Sequence, residues 1–464
     1  MLLKVRKRQL AVLIGSATVS ACSWLMAPEM PKTNLPSYFN SATSVNIESL
    51  PYLAWWQQFK DPTLNSLIES GIQNNLDLKI ALSNLKQAQG QLRQVELSWI
   101  PLVNIYAGYS SNPGFGNIGT FYGIWPQYTL NIAQLIERQQ QAKYTLEMTR
   151  AMVDGVRLTL IGQISAAYLT LIAQQQQLKL LQQLAYDLQQ LIKLSHQQIQ
   201  IGLKDNIDIA QLVIHEKLVQ AQINLSQHNI VLSQNSLHYL RNQNPGTVTS
   251  ATSFASYDFS NFHPGSLPST VLQNRPDLLI AEYALKAAHS GVGVAYAALF
   301  PAIQLDRFAG AGSGNGSVAP PLTATSMTDS YLNWGINPAT FGTIEAQKGA
   351  YQAEVYSYIQ TVRKILEDVD NNLAANQLFT KNYLNTYQAL VEQHNKYQLQ
   401  QGLYHSGIMS YPELLGNKID VDNLELSVNQ SKLQQAIALV NLYQSLAGGY
   451  KYTPESVNLI HLDH

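Results

Sequence analysis

The sequence contains unusually few charged residues. Only 13% of its 464 residues are charged, 46% are hydrophobic, and the formal net charge is −1. An ordinary soluble domain has about a quarter charged residues. Without a basic patch to neutralise phosphates, a nucleic-acid binder is excluded. The single cysteine excludes a disulfide scaffold and any site built from several thiolates. Polarity comes instead from amides and hydroxyls, including 46 glutamines.

The sequence also lacks the short motifs of common enzymes. His215-Glu216 is not followed by the second histidine of a zinc-protease helix. No Gly-x-Ser-x-Gly turn occurs. Gly291-Val292-Gly293 lacks the third glycine and the preceding strand of a dinucleotide-binding loop. We therefore expect no catalytic residue, no metal site and no cofactor.

Residues 1–21 have the pattern of a secretory signal peptide. A basic start is followed by an apolar stretch, Leu10–Ala21, that is too short to span a membrane. It ends in Val19-Ser20-Ala21-Cys22, which resembles the lipobox of bacterial lipoproteins, where the cysteine thiol is acylated. We predict lipidation of Cys22. The alternative is a plain signal peptide with an incidental cysteine.

The chain repeats itself at a distance of 200 residues. Between 71 and 101, comparison of each residue with the one 200 positions later gives ten identities without a gap. Self-similarity at this distance predicts a duplicated, domain-sized unit. The predicted organisation is a signal peptide at 1–21, an N-terminal anchor and linker at 22–54, a first repeat at 55–245, a linker at 246–266, a second repeat at 267–450 and a tail at 451–464.

Each repeat begins with a helix and a pair of strands. The helices are predicted at about 61–99 and 267–299, before Pro101 and Pro301. Alternating apolar residues predict strands at 102–110, 122–132, 303–308 and about 330–336, with a connector rich in Gly, Ser and Pro at 309–329. Such alternation over about ten residues is typical of a tilted membrane strand. Four strands cannot close a barrel, so several subunits would have to share one, because lipid does not tolerate open sheet edges.

Two long stretches with few glycines or prolines, about 134–241 and 340–447, predict long helices. A seam with the 3-4-3 spacing of coiled packing lies in the first: Leu181, Leu184, Leu188 and Leu191. Both stretches are interrupted around a glycine, at 201–208 and 406–413, and an acid follows six residues later, Asp208 or Glu413. These acids either favour a helix N-terminus through its dipole or mark a functional hairpin tip.

The sequence resembles the TolC-like outer membrane efflux factors, most of all the lipoprotein branch that serves tripartite RND-type multidrug efflux systems. The resemblance covers about 50–450. Its most discriminating part is Asn274-Arg275-Pro276-Asp277-Leu278 with Ala281-Glu282 and Phe300-Pro301. Its other residues are Trp56, Phe59, Asp61, Leu64, Asn75, Asp77, Leu78, Ala81, Val440-Asn441-Leu442-Tyr443 and Leu446-Ala447-Gly448-Gly449.

The resemblance implies a mainly α fold with a small membrane β part. It implies a homotrimer with a 12-stranded outer membrane β-barrel and a periplasmic 12-helix tunnel, acting as a passive exit duct for small molecules. The partners it implies are a periplasmic adaptor (membrane fusion) protein, an inner-membrane pump and outer membrane lipid. A type I-like protein secretion duct is an alternative with the same fold. A periplasmic coiled-coil scaffold lipoprotein is an alternative of another class.

The resemblance also assigns residues to the hairpin tips and to a periplasmic gate. Gly202, Leu203, Gly407 and Ile408 fall on the motif that engages the adaptor. Glu413, Asp420 and Asp208 are candidates for an acidic gate. Members of the family often carry two acids on the last hairpin. Glu413 fits the first position, but Gly416 stands at the second, and Asp420 and Asp422 lie further on.

Overall fold

The computed structural model describes residues 31, 53–110, 119–201, 206–259, 273–312, 323–335, 337–448 and 450–451. The chain divides into two compact units. The first is built mainly from Ser83–Ala151 and Leu279–Val362. The second is built from Asn34–Leu82, Met152–Leu278 and Arg363–His464.

The described residues are mainly helical. The helices are α1 (Pro62–Asn74), α2 (Leu76–Leu97), α3 (Ile132–Gln200), α4 (Asn206–Leu240), α5 (Pro276–Ala297), α6 (Ala339–His405) and α7 (Tyr411–Ser445). Short 3₁₀ turns lie at Trp55–Phe59 and Phe254–Ser256. The two predicted long helical stretches are present as α3 with α4 and α6 with α7, and each pair is interrupted where a glycine was expected to interrupt it.

The predicted first helix, 61–99, is wrong in one respect, because it is two helices. Asn75 has a non-helical backbone (ψ 132°) between α1 and α2. Its side-chain oxygen accepts from the Leu78 N–H at 2.9 Å, and its amide donates to the Leu240 carbonyl at 2.9 Å. The break therefore caps α2 and ties it to the end of α4.

The predicted helix 267–299 starts later, at Pro276. Proline is favoured in the first helical turn because its missing N–H would have no partner there. It also disfavours helical backbone at Arg275, the residue before it. Residues 267–272 lie outside the described part of the chain.

The four strands form one antiparallel sheet in the first unit, in the order β1-β2-β3-β4. They are β1 (Leu102–Ser110), β2 (Gly119–Leu130), β3 (Ala302–Gly312) and β4 (Thr323–Asn333). The predicted bounds 122–132, 303–308 and 330–336 were wrong, and both ends of the supposed connector 309–329 belong to strands. Small and hydroxyl residues there give no apolar alternation, yet their backbones pair fully from Ala309↔Ser326 to Gly312↔Thr323.

The leucine seam on α3 is a packed core in the second unit. Leu181, Leu184, Leu188 and Leu191 are buried, together with Val219 and Ile223 of α4 and Leu415 and Ile419 of α7. The 3-4-3 spacing therefore predicted the buried face of α3, and three helices share it.

Helix α3 is also the one described helix that is long and apolar enough to cross a membrane by length and composition. More than half of its apolar stretch is buried within the protein, as in a helix that packs against its neighbours.

Candidate functional site

The sheet of the first unit has two chemically different faces. Residues opposite one another in an antiparallel pair share a face, and neighbours along a strand alternate. The register places Ile105 with Ile124, Tyr128 with Leu305 and Ile303 with Leu332 on one face, which is apolar apart from Arg307 and the hydroxyls of β4. The opposite face is mixed. It carries amides and acids beside aromatic and apolar residues: Asn104, Gln127, Gln304, Asp306, Asp329 and Asn333 lie there with Leu102, Tyr106, Trp125 and Tyr331.

Strands β1 and β4 are the outer strands of this sheet in the described residues. Their outward backbone groups lie at edges of the ladder, and such edges template pairing with another chain. An apolar face and two edges that are unpaired in the described sheet are features that a segment of a membrane barrel would also have.

The turn between α6 and α7 is fixed by the backbone. Gly407 has a φ of +73°, the left-handed conformation that glycine adopts without strain. The Gly407 N–H donates to the Tyr404 carbonyl at 3.0 Å, and the Ile408 N–H donates to the Leu403 carbonyl at 2.9 Å. This is a Schellman cap. The Ile408 side chain projects to solvent and is 74% exposed.

Two of the predicted tip residues, Gly202 and Leu203, lie outside the described residues, as does the predicted lipidation site Cys22. The residues that flank the α3–α4 turn are described. Ile201 and Ile207 are both largely exposed.

Glu413 forms a capping box at the start of α7. Its Oε2 accepts from the Ser410 N–H at 2.9 Å and from the Ser410 hydroxyl at 2.8 Å, while the Glu413 N–H donates to Ser410 Oγ at 3.4 Å. The backbone and hydroxyl of Ser410 lower the pKa of the Glu413 carboxyl. The helix-start interpretation of Glu413 is therefore realised in the structure.

The other two gate candidates are exposed acids. Asp208 lies in the first turn of α4, and Asp420 lies on the surface of α7. The structure brings neither of them together with Glu413 within this single chain by any described hydrogen bond or ion pair.

A buried acidic site that sequence reasoning missed lies on α7 beside Asp420. Asp422 is 1% exposed and accepts from the Lys418 ammonium. Lys418 Nζ also lies 3.9 Å from Oδ2 of Asp187 on α3. The spacing of Lys418 and Asp422, one helical turn apart, was visible in the sequence, but the part played by Asp187 was not.

Asp61 is the centre of a second buried network. Its Oδ2 accepts from the Tyr168 hydroxyl at 2.6 Å and from the Tyr257 hydroxyl, while Oδ1 accepts from the N–H groups of Thr63 (2.7 Å) and Leu64 (3.2 Å). Burial raises the pKa of Asp61, but these donors outweigh burial, and the net pKa is lowered. Asp61 therefore stays ionised and ties α1 to α3 and to the segment around Tyr257.

The Arg275-Pro276-Asp277 motif closes the end of α7. The guanidinium of Arg275 forms a two-pronged pair with Asp277, at 3.0 and 2.6 Å, and donates to the Ser445 carbonyl at 2.6 Å. These residues line a cavity of about 480 Å³ together with Asp368, Asn372 and Gln444. The motif that carries the resemblance is thus a structural clamp.

The comparisons with known proteins agree with this geometry. The sequence model of the family described as outer membrane efflux protein matches residues 67–242 and 267–448. The antibiotic efflux pump outer membrane protein ArpC of Pseudomonas putida is 25% identical over 472 residues, 96% of either chain. The probable outer membrane lipoprotein SilC of Salmonella typhimurium is 25% identical, over 92% of this chain and 95% of SilC. The open-state crystal structure of the Neisseria gonorrhoeae MtrE outer membrane channel gives a TM-score of 0.80 at 24% identity, over 92% of this chain and 98% of MtrE.

The mainly helical fold of this chain matches that of the MtrE outer membrane channel. Since the family model covers well over half of the chain, the chain belongs to the outer membrane efflux protein family. It is an efflux channel protein of the outer membrane, and its family consists of channel proteins, not enzymes.

We predict that Asp61→Asn destabilises the second unit by about 2 kcal/mol, the scale of a buried charged hydrogen bond. The tyrosine hydroxyls donate to one carboxylate oxygen and the two backbone N–H groups donate to the other. Asparagine has a single oxygen, so its NH₂ group would face one of these two pairs of donors. Because the pKa of Asp61 is lowered by folding, its stabilisation is present above the ordinary value of 3.8 and is lost as the pH falls below it. Variant and wild type should therefore differ at neutral pH and converge in acid.

The measurement is thermal unfolding in detergent, followed by far-UV circular dichroism. The matched control is Asp77→Asn, at an exposed acid in the first turn of α2. If Asp61→Asn unfolds at the same temperature as the Asp77→Asn control, the hydrogen-bond network of Asp61 does not stabilise the second unit.

Proposed function

We propose that three copies of the chain assemble into a passive exit duct of a tripartite efflux pump. Each copy contributes four strands to a 12-stranded β-barrel in the outer membrane and four long helices to a periplasmic 12-helix tunnel. The chain itself performs no catalysis and needs no cofactor or metal. The two segments matched by the family model support an origin from two repeats, at 55–245 and 267–450.

The observation that carries this proposal is the sheet with one apolar face and edges at β1 and β4. In lipid every backbone polar group needs a partner, so a membrane sheet has to close on itself. Four strands are too few to enclose a channel, and pairing of β4 with β1 of the next copy supplies the missing partners. The number three comes from the likeness to the family.

The helices carry a second feature that favours assembly. Exposed apolar residues on α4 recur with spacings of four and seven: Ile214, Leu218, Leu225 and Leu232. This is the heptad pattern of a seam that packs against another helix. A neighbouring copy is the partner that the proposed tunnel places there.

The proposed partners are a periplasmic adaptor protein and, through it, an inner-membrane pump. The tips at Gly202-Leu203 and Gly407-Ile408 would contact the adaptor through small and apolar side chains. The Schellman turn supports this, since it presents Ile408 to solvent without involving its side chain in the fold.

The remaining proposals concern the N-terminus and the cargo. Cys22 would be acylated and anchor the chain in the outer membrane, and a barrel would hold it there as well. The relative ArpC is named for antibiotic efflux, which favours small molecules over secreted proteins. Family membership and the sheet favour the duct over a periplasmic scaffold.

Purified protein in detergent should form threefold tubular particles in electron micrographs and conduct ions in planar bilayers. Leu225→Arg, which places a charge in the exposed α4 seam, should abolish the trimer. Gln220→Arg on another face of α4 should leave it intact. Monomeric particles of the wild-type protein that insert no channels would contradict the proposal.

The same recordings test the acidic gate. Rings of Glu413 and Asp420 from three copies would attract cations, and the Ser410 bonds that lower the pKa of Glu413 would keep it charged. The double variant Glu413→Ala with Asp420→Ala should lose cation preference and block by multivalent cations. Unchanged selectivity would remove both residues from the gate.

Ile408→Arg should impair efflux and adaptor capture while the trimer remains, because the charge replaces an apolar contact without altering the turn. Ile408→Val is the matched control and should behave like wild type. The measurement is photo-crosslinking from position 203, at the other predicted tip, in cells that contain the adaptor. An arginine variant that crosslinks and exports normally would mean that the tip is elsewhere.

Cys22→Ser should abolish fatty-acid labelling and reduce export only in part, because the barrel still holds the protein in the membrane. Metabolic labelling with a fatty-acid analogue measures this, with the wild-type chain as the positive control. Label that persists on the variant would show that Cys22 is not the acylated residue.

A further inference from the structure

Asp187 and Asp422 form a buried acid pair beside the leucine seam of α3. With both carboxyls ionised, the pair carries two negative charges, and the ammonium of Lys418 balances only one of them. Asp422 of α7 and Asp187 of α3 are both almost fully buried. Their carboxyl groups lie within reach of one another, and Lys418 bonds to Asp422 and lies 3.9 Å from Asp187. Gln183 donates its amide to Asp187 Oδ2 at 3.0 Å. Two carboxylates thus face one ammonium.

One oxygen of this pair has no hydrogen-bond partner among the described residues. It is Oδ2 of Asp422, which is buried from solvent. An unpaired buried carboxylate oxygen is costly, because it has lost its water and gained no donor. A proton on one of the two carboxyls resolves both problems. It removes the excess charge and supplies an O–H donor.

Among the described residues, the ion pairs and hydrogen bonds of this region bring no second cation to the pair. On α7, Glu425 adds a further negative charge near Lys418, and His394 of α6 lies 3.6 Å from Glu425. On α4, Glu216 is occupied by its neighbour Lys217 and by Gln189 of α3. The ammonium of Lys418 is also partly exposed and serves both acids, so the excess charge remains.

We propose that Asp187 and Asp422 share one proton, and that this proton strengthens the contact between α3 and α7 so that acid tightens the second unit at this point. The shared proton turns two repelling carboxylates into a hydrogen-bonded pair that bridges the two helices. The inference about the contact is independent of channel activity. Only its consequence, a tunnel that is harder to open in acid, rests on the proposed function.

The direction of the pH effect follows from the environment of the pair. Burial raises the pKa of Asp422 to about 6, the Lys418 ammonium opposes this rise, and Asp187 adds to it. A carboxyl whose pKa is raised by folding stabilises the contact fully below its ordinary value of 3.8, and the stabilisation is lost as the pH rises through about 6. Each unit of pKa shift corresponds to a tenfold change in an equilibrium constant.

The test is amide hydrogen exchange of residues 414–425 in the full-length protein in detergent. Asp422→Asn mimics the protonated acid, so at about pH 8 it should exchange more slowly than wild type, by up to about a hundredfold for a pKa raised from 3.8 to about 6. At about pH 5, where the wild-type pair is protonated, the two should agree. Comparison at one pH removes the intrinsic pH dependence of exchange. Asp77→Asn, at an exposed acid of the same unit on α2, is the matched control and should exchange like wild type at both pH values.

Asp187→Asn provides a second variant at the other member of the pair and should give the same protection at about pH 8. Circular dichroism verifies that each variant is folded. Folded Asp422→Asn and Asp187→Asn proteins that exchange like wild type at both pH values would overturn the proposal, as would equal protection of residues 414–425 in Asp77→Asn.

Single-channel recordings then separate this inference from the proposed function. If neither the wild type nor any variant conducts, the proposed exit-duct function is wrong. The hydrogen-exchange data still show whether Asp187 and Asp422 share a proton. If the channels conduct and Asp422→Asn has the same closed fraction as wild type at about pH 8, the pair does not act on the tunnel.

Discussion

The second unit depends on one buried negative charge. Asp61 has no cation beside it in the described network and is stabilised by four donors, two tyrosine hydroxyls and two backbone N–H groups. Such a charge is tolerable only when every donor is in place, because the loss of any one leaves it undersolvated. The start of α1, the middle of α3 and the segment around Tyr257 therefore have to meet at one point. The stacked rings of Trp55 and Tyr443 bring the end of α7 to the same region.

Most of the helical fold could be predicted from the sequence, because heptad spacing is a local signal. Leu181 to Leu191 identified the buried face of α3 without knowledge of its partners. The strand ends could not be found in the same way. Residues such as Ala309, Gly310 and Thr325 pair through their backbones, and backbone pairing leaves no trace in side-chain alternation. Asn75 was missed as a helix break, because its partner, the Leu240 carbonyl, lies in a distant part of the chain.

In the candidate functional site, too, the features set by residues close in sequence were predictable and those set by distant contacts were not. The turn at Gly407 was predictable, since a left-handed cap needs glycine and gives a local pattern. The sequence allowed two interpretations of Glu413, a helix start or a functional hairpin tip. The capping box with Ser410 shows the helix-start role, which depends only on residues close in sequence. Asp422 was noticed only as one of several acids on α7. Its burial against Asp187 comes from the packing of α3 on α7, which no spacing in the sequence reveals.

At the end of the α6–α7 hairpin, the Schellman turn fixes the path of the backbone without using the side chain of Ile408. The path of the chain is set by the φ of Gly407 and by bonds between backbone atoms, while the side chain of Ile408 points into solvent. Folding therefore places almost no constraint on which residue stands at 408. In the proposed adaptor contact, a change of partner at this position would therefore need one substitution and no repacking of the helices.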